Sequence, residues 1–291
     1  MHSIIVKAPA KVNLFLKVLG KRKDSYHNII TIFERISLAD TIKVFKISAG
    51  IIVKSDKFIT QNPKDNLVYK AAKLILECGK IKSGVKIEIK KKIPVTAGLG
   101  GGSSDAAAVL RGMNKLFRLR LSDNSLLNMA KSLGADVPFF VLDTAFAIGR
   151  GRGDELEVIK PGKRFWHLII KPGNKTSTKS IYEAFDKIPK HLTPGRESAK
   201  IQIPSKFRID YKQAESILHN DLEIAVSSKK GVTGRILKSL AQLLGKKAIV
   251  SGSGPSLFCL YRTRREALDA RDTVLRSVNA RSRTLWQIFV V

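Results

Sequence analysis

Residues 94–108 read PVTAGLGGGSSDAAA. Gly98, Gly100, Gly101 and Gly102 put four glycines into five positions, leaving main chain without the Cβ atoms that would hold a large anion away. Ser103 and Ser104 then open a helix, and a helix start offers free N–H groups and a positive dipole end to a phosphate. Ala106, Ala107 and Ala108 keep the next turn slim. The chemistry implied is the cradling of a polyphosphate. A Walker A loop is excluded because no Gly-Lys-Ser/Thr follows. A dinucleotide fingerprint lacks its acidic residue about 20 positions on. Four glycines alone would fit a flexible turn equally well; the whole string favours the cradle.

Asp136 follows Gly134-Ala135 and precedes Val137-Pro138. The proline should push Val137 extended and leave Asp136 at a helix-to-strand corner. From there a carboxylate could orient or deprotonate a hydroxyl, although an Asp after Gly more commonly bonds to nearby backbone. Lys11, within APAKVN, falls in a strand-like stretch where lysine is usually a solvated edge residue. Tyr26 and His27 follow a charged turn and read by themselves as a strand-start aromatic and a surface histidine. SGSGP, Ser251 to Pro255, joins two expected strands and reads as a hairpin turn. Asn220, Asp221 and Glu223 look like capping and pairing groups.

These residues need elements to position them. Ile4–Val6, Val12–Val18, Ile29–Ile36 and Thr41–Ile47 are rich in β-branched residues and predict strands, separated by turns at residues 20–24 and at Ala39-Asp40. Helical spacing predicts a helix over 66–78, capped by Asp65 or Asn66. VKIEI (85–89) alternates as a half-buried strand. Helices are expected over 104–117 and over 122–133, the latter capped by Ser122 and stopped by a left-handed Gly134. Strands AFAIG, ELEVI and WHLIIK then precede a helix over 177–185. Residues 187–207 read as a loop or arm. Helices over 213–226, 232–244 and 265–277 and strands over 248–251, 257–261 and 284–290 complete the chain. Strands precede helices in each half, which suggests an α+β chain of two lobes.

At 291 residues the chain has room for two domains, here drawn as 1–155, carrying the glycine loop, and 156–291. Hydrophobic residues make up 44%, enough for a real core. Lys and Arg number 53 against 24 Asp and Glu, a net +29. Such a field attracts phosphates and nucleic acids but does not choose a fold. The lysines are spread along the chain, so most of the excess reads as a lysine-rich background. Cys78 and Cys259 have no metal-ligand spacing and read as buried thiols in a reducing compartment. No signal-peptide core and no uncharged apolar run of about 18 residues is present, so a cytoplasmic protein with no membrane span is expected.

The glycine string resembles the ATP-binding motif of the GHMP kinases. APAKVNLFLKV resembles that family's first motif and SGSGPSLF its third, in the family's order over nearly the whole chain. The resemblance implies a two-lobed fold, with an N-terminal lobe like ribosomal protein S5 domain 2 and a ferredoxin-like C-terminal lobe. It implies ATP and Mg²⁺ as cofactors, with no metal ligand named. The ATP site would comprise Pro94, Gly98, Leu99, Gly100, Gly101, Gly102, Ser103 and Ser104. Asp136, in GADVP, would be the catalytic carboxylate and Lys11 its partner. SGSGP would pack on the cradle. Four strings, AKVNLFLKVLGKRKDSYHNI, GLGGGSSDAA, GADVPFF and HNDLE, narrow the resemblance to members acting on a cytidine diphosphate-linked methylerythritol. Tyr26 would then stack on the cytosine while His27 and Asn13 bond its polar edge. Tyr182 would be the second aromatic, unless it is core and Phe185 takes that place. The rivals are another kinase of the family, acting on homoserine, mevalonate or a sugar, and a basic RNA-binding protein with an S5-like lobe. The RNA reading leaves the cradle unexplained, and the chain lacks interleaved aromatic and basic residues.

Overall fold

The computed structural model describes residues 2–161, 165–173, 177–189, 208–228, 232–278 and 285–291. It forms two units, one of Met1–Lys11, Arg35–Val95 and Gly100–Thr144, the other of Val12–Glu34, Thr96–Leu99 and Ala145–Val291. Both are discontinuous in sequence, whereas the sequence reading placed a single boundary between 155 and 156.

Two long strands run through both units, β1 (Ser3–Lys21) and β2 (His27–Ile47). The sequence alone predicts each as two shorter strands. Ala8, Ala10, Val12, Leu14, Leu16 and Val18 are all buried, a period of two that keeps one face of β1 inward without a break. In β2 the inward row includes Leu38, Asp40 and Ile42. Asp40 therefore occupies a core position of a continuous strand, not the turn expected at Ala39-Asp40.

In the first unit Thr41–Ile47 of β2 pair antiparallel with β4 (Gly84–Lys90), and β3 (Ile51–Ser55) lies parallel to β4. Helix α1 (Leu67–Cys78) starts at Asn66, whose side chain accepts from the Val68 N–H. It packs against α2 (Gly101–Leu116). Both bury small residues, Ala71 and Ala72 on α1 and Ala106 to Ala108 on α2. Helix α3 (Asp123–Leu133) is capped by Ser122, as expected. Gly134 stops it in extended backbone, φ 168°, rather than in a left-handed turn. Next comes a five-residue helix, α4 (Val137–Val141), where a strand was expected. A proline in the first turn suits a helix start because its missing N–H would have no partner there. So short a helix depends on packing, and Phe139 and Phe140 are buried; each contributes roughly 1.5–3 kcal/mol by leaving water.

In the second unit Thr31–Glu34 of β2 pair antiparallel with β5 (Phe146–Arg150), followed by β6 (Glu155–Pro161) and, parallel to it, β8 (Arg208–Ile209). A four-stranded sheet runs β10 (Ile249–Val250), β11 (Leu257–Tyr261), β7 (Trp166–Lys171), β12 (Gln287–Val290). Its core includes Leu168, Phe185, Leu222 and Leu257, with contributions from α5 (Thr178–Asp186), α8 (Val232–Leu244) and α9 (Arg264–Ser277). The expected helix over 213–226 is broken into α6 (Tyr211–Ile217), a two-residue strand β9 (His219–Asn220) and α7 (Glu223–Ser228). β9 pairs parallel with β1 at Phe15 and Leu16. Of the expected 187–207 loop, residues 190–207 lie outside the described residues. Among the described residues no helix is long and apolar enough to cross a membrane. Cys259 is buried and Cys78 exposed, so only one thiol is where the sequence reading placed both.

Candidate active site

Helix α2 begins earlier than expected. Gly101 and Gly102 are its first residues, and Gly100 caps it at φ +70°, a backbone that costs any side chain about 1–2 kcal/mol. A Cβ on Gly100 would lie 2.9 Å from Phe140 Cζ and 3.0 Å from Lys11 Cγ. The glycine turn thus rests directly on the stem of Lys11. Lys11 Nζ in turn lies 3.4 Å from Asp136 Oδ2. The Lys11 side chain is buried and that of Asp136 is 35% exposed. Asp136 is the residue before α4, but its side chain makes no capping bond. The carboxylate is turned to a lysine rather than spent on backbone, the opposite of the commoner fate of an Asp after Gly. Gly102 is different again: a Cβ there would meet nothing within 4 Å. The fold does not require glycine at 102.

The preceding part of the loop belongs to the second unit. Gly98 has φ +78°, and a Cβ on it would come within 2.4 Å of the Ser251 carbonyl oxygen and 2.9 Å of that of Gly254. The Ser251 hydroxyl donates to the Gly98 carbonyl at 3.0 Å, and the Ser256 N–H to the Ala97 carbonyl at 3.2 Å. SGSGP is therefore both a turn and the support of the loop. Asn220 anchors it, donating from Nδ2 to the carbonyls of Val250 (2.8 Å) and Gly252 (2.7 Å). The sequence reading gave Asn220 only a capping role; the HNDLE string was the signal.

Beneath the start of α2 lies a buried ionic cluster that the sequence reading missed. Lys91 Nζ donates to Asp40 Oδ2 and, at 2.7 Å, to Asp105 Oδ2. Asp40 Oδ1 accepts from the N–H groups of Lys92 (2.5 Å) and Ile93 (2.8 Å). All three side chains are at most 3% exposed. Burial pulls the Lys91 ammonium toward neutrality, but the charges of Asp105 and Asp40 outweigh it and raise its pKa. Burial pushes the Asp105 carboxyl up to about 7, with Lys91 opposing and Asp40 adding to the rise. Asp105 Oδ1 and Ser104 Oγ are buried without a hydrogen-bond partner.

Tyr26, His27, Asn13 and Tyr182 all lie in the second unit. Tyr26 is 53% exposed, with the Arg152 guanidinium 5.2 Å from its ring centre. His27 is buried and stacks on Tyr182, centroids 4.7 Å apart and planes 25° from parallel. Tyr182 is partly exposed and packs against the core, while Phe185 is fully buried within it. His27 Nε2 lies 2.7 Å from Asp186 Oδ1, and Lys21 Nζ donates to Asp186 Oδ2 at 3.0 Å. Burial would raise the Asp186 carboxyl, but the bonds and charges of His27 and Lys21 win and hold it below the usual range. Asn13 is buried and donates to Thr31 Oγ1 at 2.7 Å. Nothing in the spacing of Asp186 or Arg152 marked them in advance.

The structure brings Gly100, Lys11 and Asp136 together, with Pro94 and Leu99 buried nearby in sequence and Ser103 and Ser104 in the opening turns of α2. Among the described residues no three His, Cys, Asp or Glu side chains converge on a metal position.

Residues 66–144 match the GHMP kinases N terminal domain. Over its whole length the chain resembles 4-diphosphocytidyl-2-C-methyl-D-erythritol kinases. It is 38% identical to that of Syntrophus aciditrophicus over 98% of each chain. It is 36% identical to that of Acetivibrio thermocellus over 100% of this chain and 99% of the other. Among solved structures, a 4-(cytidine 5'-diphospho)-2C-methyl-D-erythritol kinase superposes with a TM-score of 0.77 at 30% identity, covering 99% of this chain and 98% of that one. A mevalonate kinase shares the fold, with a TM-score of 0.70 at 17% identity. The mixed α+β architecture is that of these kinases, and the chain belongs to the GHMP kinase family, among its 4-diphosphocytidyl-2-C-methyl-D-erythritol kinases.

Proposed function

We propose that this protein transfers the γ-phosphoryl group of ATP to the 2-hydroxyl of 4-diphosphocytidyl-2-C-methyl-D-erythritol, a step of non-mevalonate isoprenoid precursor synthesis in the cytoplasm. The observation that carries this reading is the contact chain Gly100–Lys11–Asp136, which sets a helix N-terminus against an ion-paired carboxylate.

The triphosphate lies over Gly98 to Ser104, where the free N–H groups at the start of α2 donate to its anionic oxygens. Pro94 and Leu99 shape the loop. Asp136 orients the acceptor hydroxyl and takes its proton as the hydroxyl oxygen bonds to the γ-phosphorus and ADP leaves with the bridging oxygen. Lys11 offsets negative charge on the group in transit and holds Asp136 in place. A Mg²⁺ ion bound with the nucleotide would be held largely by phosphate oxygens and water, as is usual for this ion. It would supply charge neutralisation there, and no protein ligand is assigned to it. Tyr26 and Tyr182 present ring faces to the cytosine, a mode that suits any base. His27 and Asn13 supply the polar selectivity.

The test is release of ADP, coupled to a spectroscopic readout, with the cytidylyl methylerythritol substrate set beside mevalonate, homoserine and galactose. The proposal expects turnover with the first alone. Turnover with any of the others in its place overturns it.

A further inference from the structure

The buried cluster Asp40–Lys91–Asp105 has no part in the reaction described above, yet it touches the nucleotide loop. A Cβ on Gly101 would lie 3.3 Å from Lys91 Nζ and 3.0 Å from Ile93 Cγ2, and the Ile93 N–H is held by Asp40. The cluster thus props the main chain that opens α2. Its charges do not sum to zero, because one ammonium faces two carboxyl groups in a dry interior. Such an imbalance is costly and is relieved when one acid takes up a proton. Geometry says which. Both oxygens of Asp40 already accept from donors. On Asp105, Oδ2 accepts from Lys91 while Oδ1 is buried with no partner. The proton therefore belongs on the Asp105 carboxyl, where Asp40 favours it by charge and by a hydrogen bond between the two carboxyl groups.

We propose that Asp105 is a proton-sensitive positioning residue of the nucleotide loop, protonated when the loop holds a polyphosphate and acting through Lys91 and the main chain at Gly101. This rests on the reading that the triphosphate binds at residues 98–104. A triphosphate at the start of α2 adds negative charge close to Asp105, and like charge favours the protonated form. By reciprocity, the proton on Asp105 then favours the nucleotide. The rise of the Asp105 carboxyl to about 7 places this exchange where pH can act on it. The charged groups acting on it are Lys91, just past β4, and Asp40 from β2. Among the other elements packed on α2, β1 brings Val6 and Ile4 against Gly112, and α1, α3 and α4 bury the apolar Ile75, Leu126 and Phe139. The Lys11–Asp136 pair lies beside Gly100 rather than Gly101.

The experiment is calorimetric titration of Mg-ATP into wild type and Asp105→Asn, between about pH 7 and pH 9, in buffers of different ionisation heat. Nucleotide ionisation is common to both proteins and cancels in the comparison. Wild type is expected to take up more protons than the variant. Its affinity should fall with pH by roughly tenfold more if the nucleotide shifts Asp105 by one pH unit. Identical proton uptake and identical pH profiles overturn the inference while leaving the ATP site intact. Failure of wild type to bind ATP at any pH removes the nucleotide reading itself, and this inference with it. Should Asp105→Asn not fold, the Asp105 carboxyl carbon is followed by NMR in labelled wild type with and without Mg-ATP. A near-neutral midpoint that rises on adding nucleotide supports the inference; an acidic or unmoved midpoint overturns it.

Discussion

Replacing Gly102 by alanine separates a phosphate cradle from a mere flexible turn. The added methyl group would meet nothing within 4 Å, and Gly102 is the second residue of α2. Alanine in a compatible helical position stabilises a protein by about 0.4–1 kcal/mol, mostly by restricting the unfolded chain. For a chain of this size that corresponds to a rise in Tm of up to ~2–3 °C. If the bare main chain at 102 exists to let phosphate oxygens approach, the same methyl group stands in their way. One lost charge-assisted bond is worth roughly 1.5–3 kcal/mol, so the Kd for ATP should rise by about one to two decades. The assay is thermal unfolding beside calorimetric ATP titration of Gly102→Ala and wild type. Equal or higher Tm with weakened ATP binding is expected. Equal Tm with unchanged ATP affinity would refute the argument, since neither fold nor ligand would then need the glycine.

Gly100→Ala should behave in the opposite way: the left-handed backbone costs about 1–2 kcal/mol, the methyl group presses on Lys11, and kcat should fall about 10²-fold because small misplacements near reacting groups are expensive; a kcat within threefold of wild type contradicts this. Asp136→Asn and Lys11→Ala should each lower kcat by at least ~10²-fold while Mg-ATP binding stays measurable by calorimetry. Asp186→Asn leaves His27 and Lys21 without their carboxylate; the KM for the cytidylyl substrate should rise by roughly tenfold with the KM for ATP unchanged, and equal KM values for both substrates would remove His27 from the base site.

The loop at 94–108 was legible in the sequence because glycine spacing and helix-start chemistry are local. So was the Ser122 cap of α3. What failed depended on partners distant in the chain. Asp40 reads as a turn residue until Lys91 and the N–H groups of Lys92 and Ile93 reach it across some fifty positions. Its place in the alternating inward row of β2 was the available clue. The strand expected after Asp136 became α4 because a proline that resists a helix interior is at home in a first turn. The stacking of His27 on Tyr182, and the link from His27 to Asp186, join the start of β2 to α5 across some 155–159 positions. No periodicity encodes that. The helix expected over 213–226 was interrupted because Asn220 is spent on the carbonyls of Val250 and Gly252.

The most direct test is a crystal structure of the protein with a non-hydrolysable ATP analogue and the cytidylyl methylerythritol acceptor. The account predicts the triphosphate over the N–H groups of Gly100 to Ser103. It also predicts the acceptor 2-hydroxyl within hydrogen-bond reach of Asp136 and roughly 3–3.5 Å from the γ-phosphorus. A triphosphate bound elsewhere, or a hydroxyl out of reach of Asp136, would contradict it.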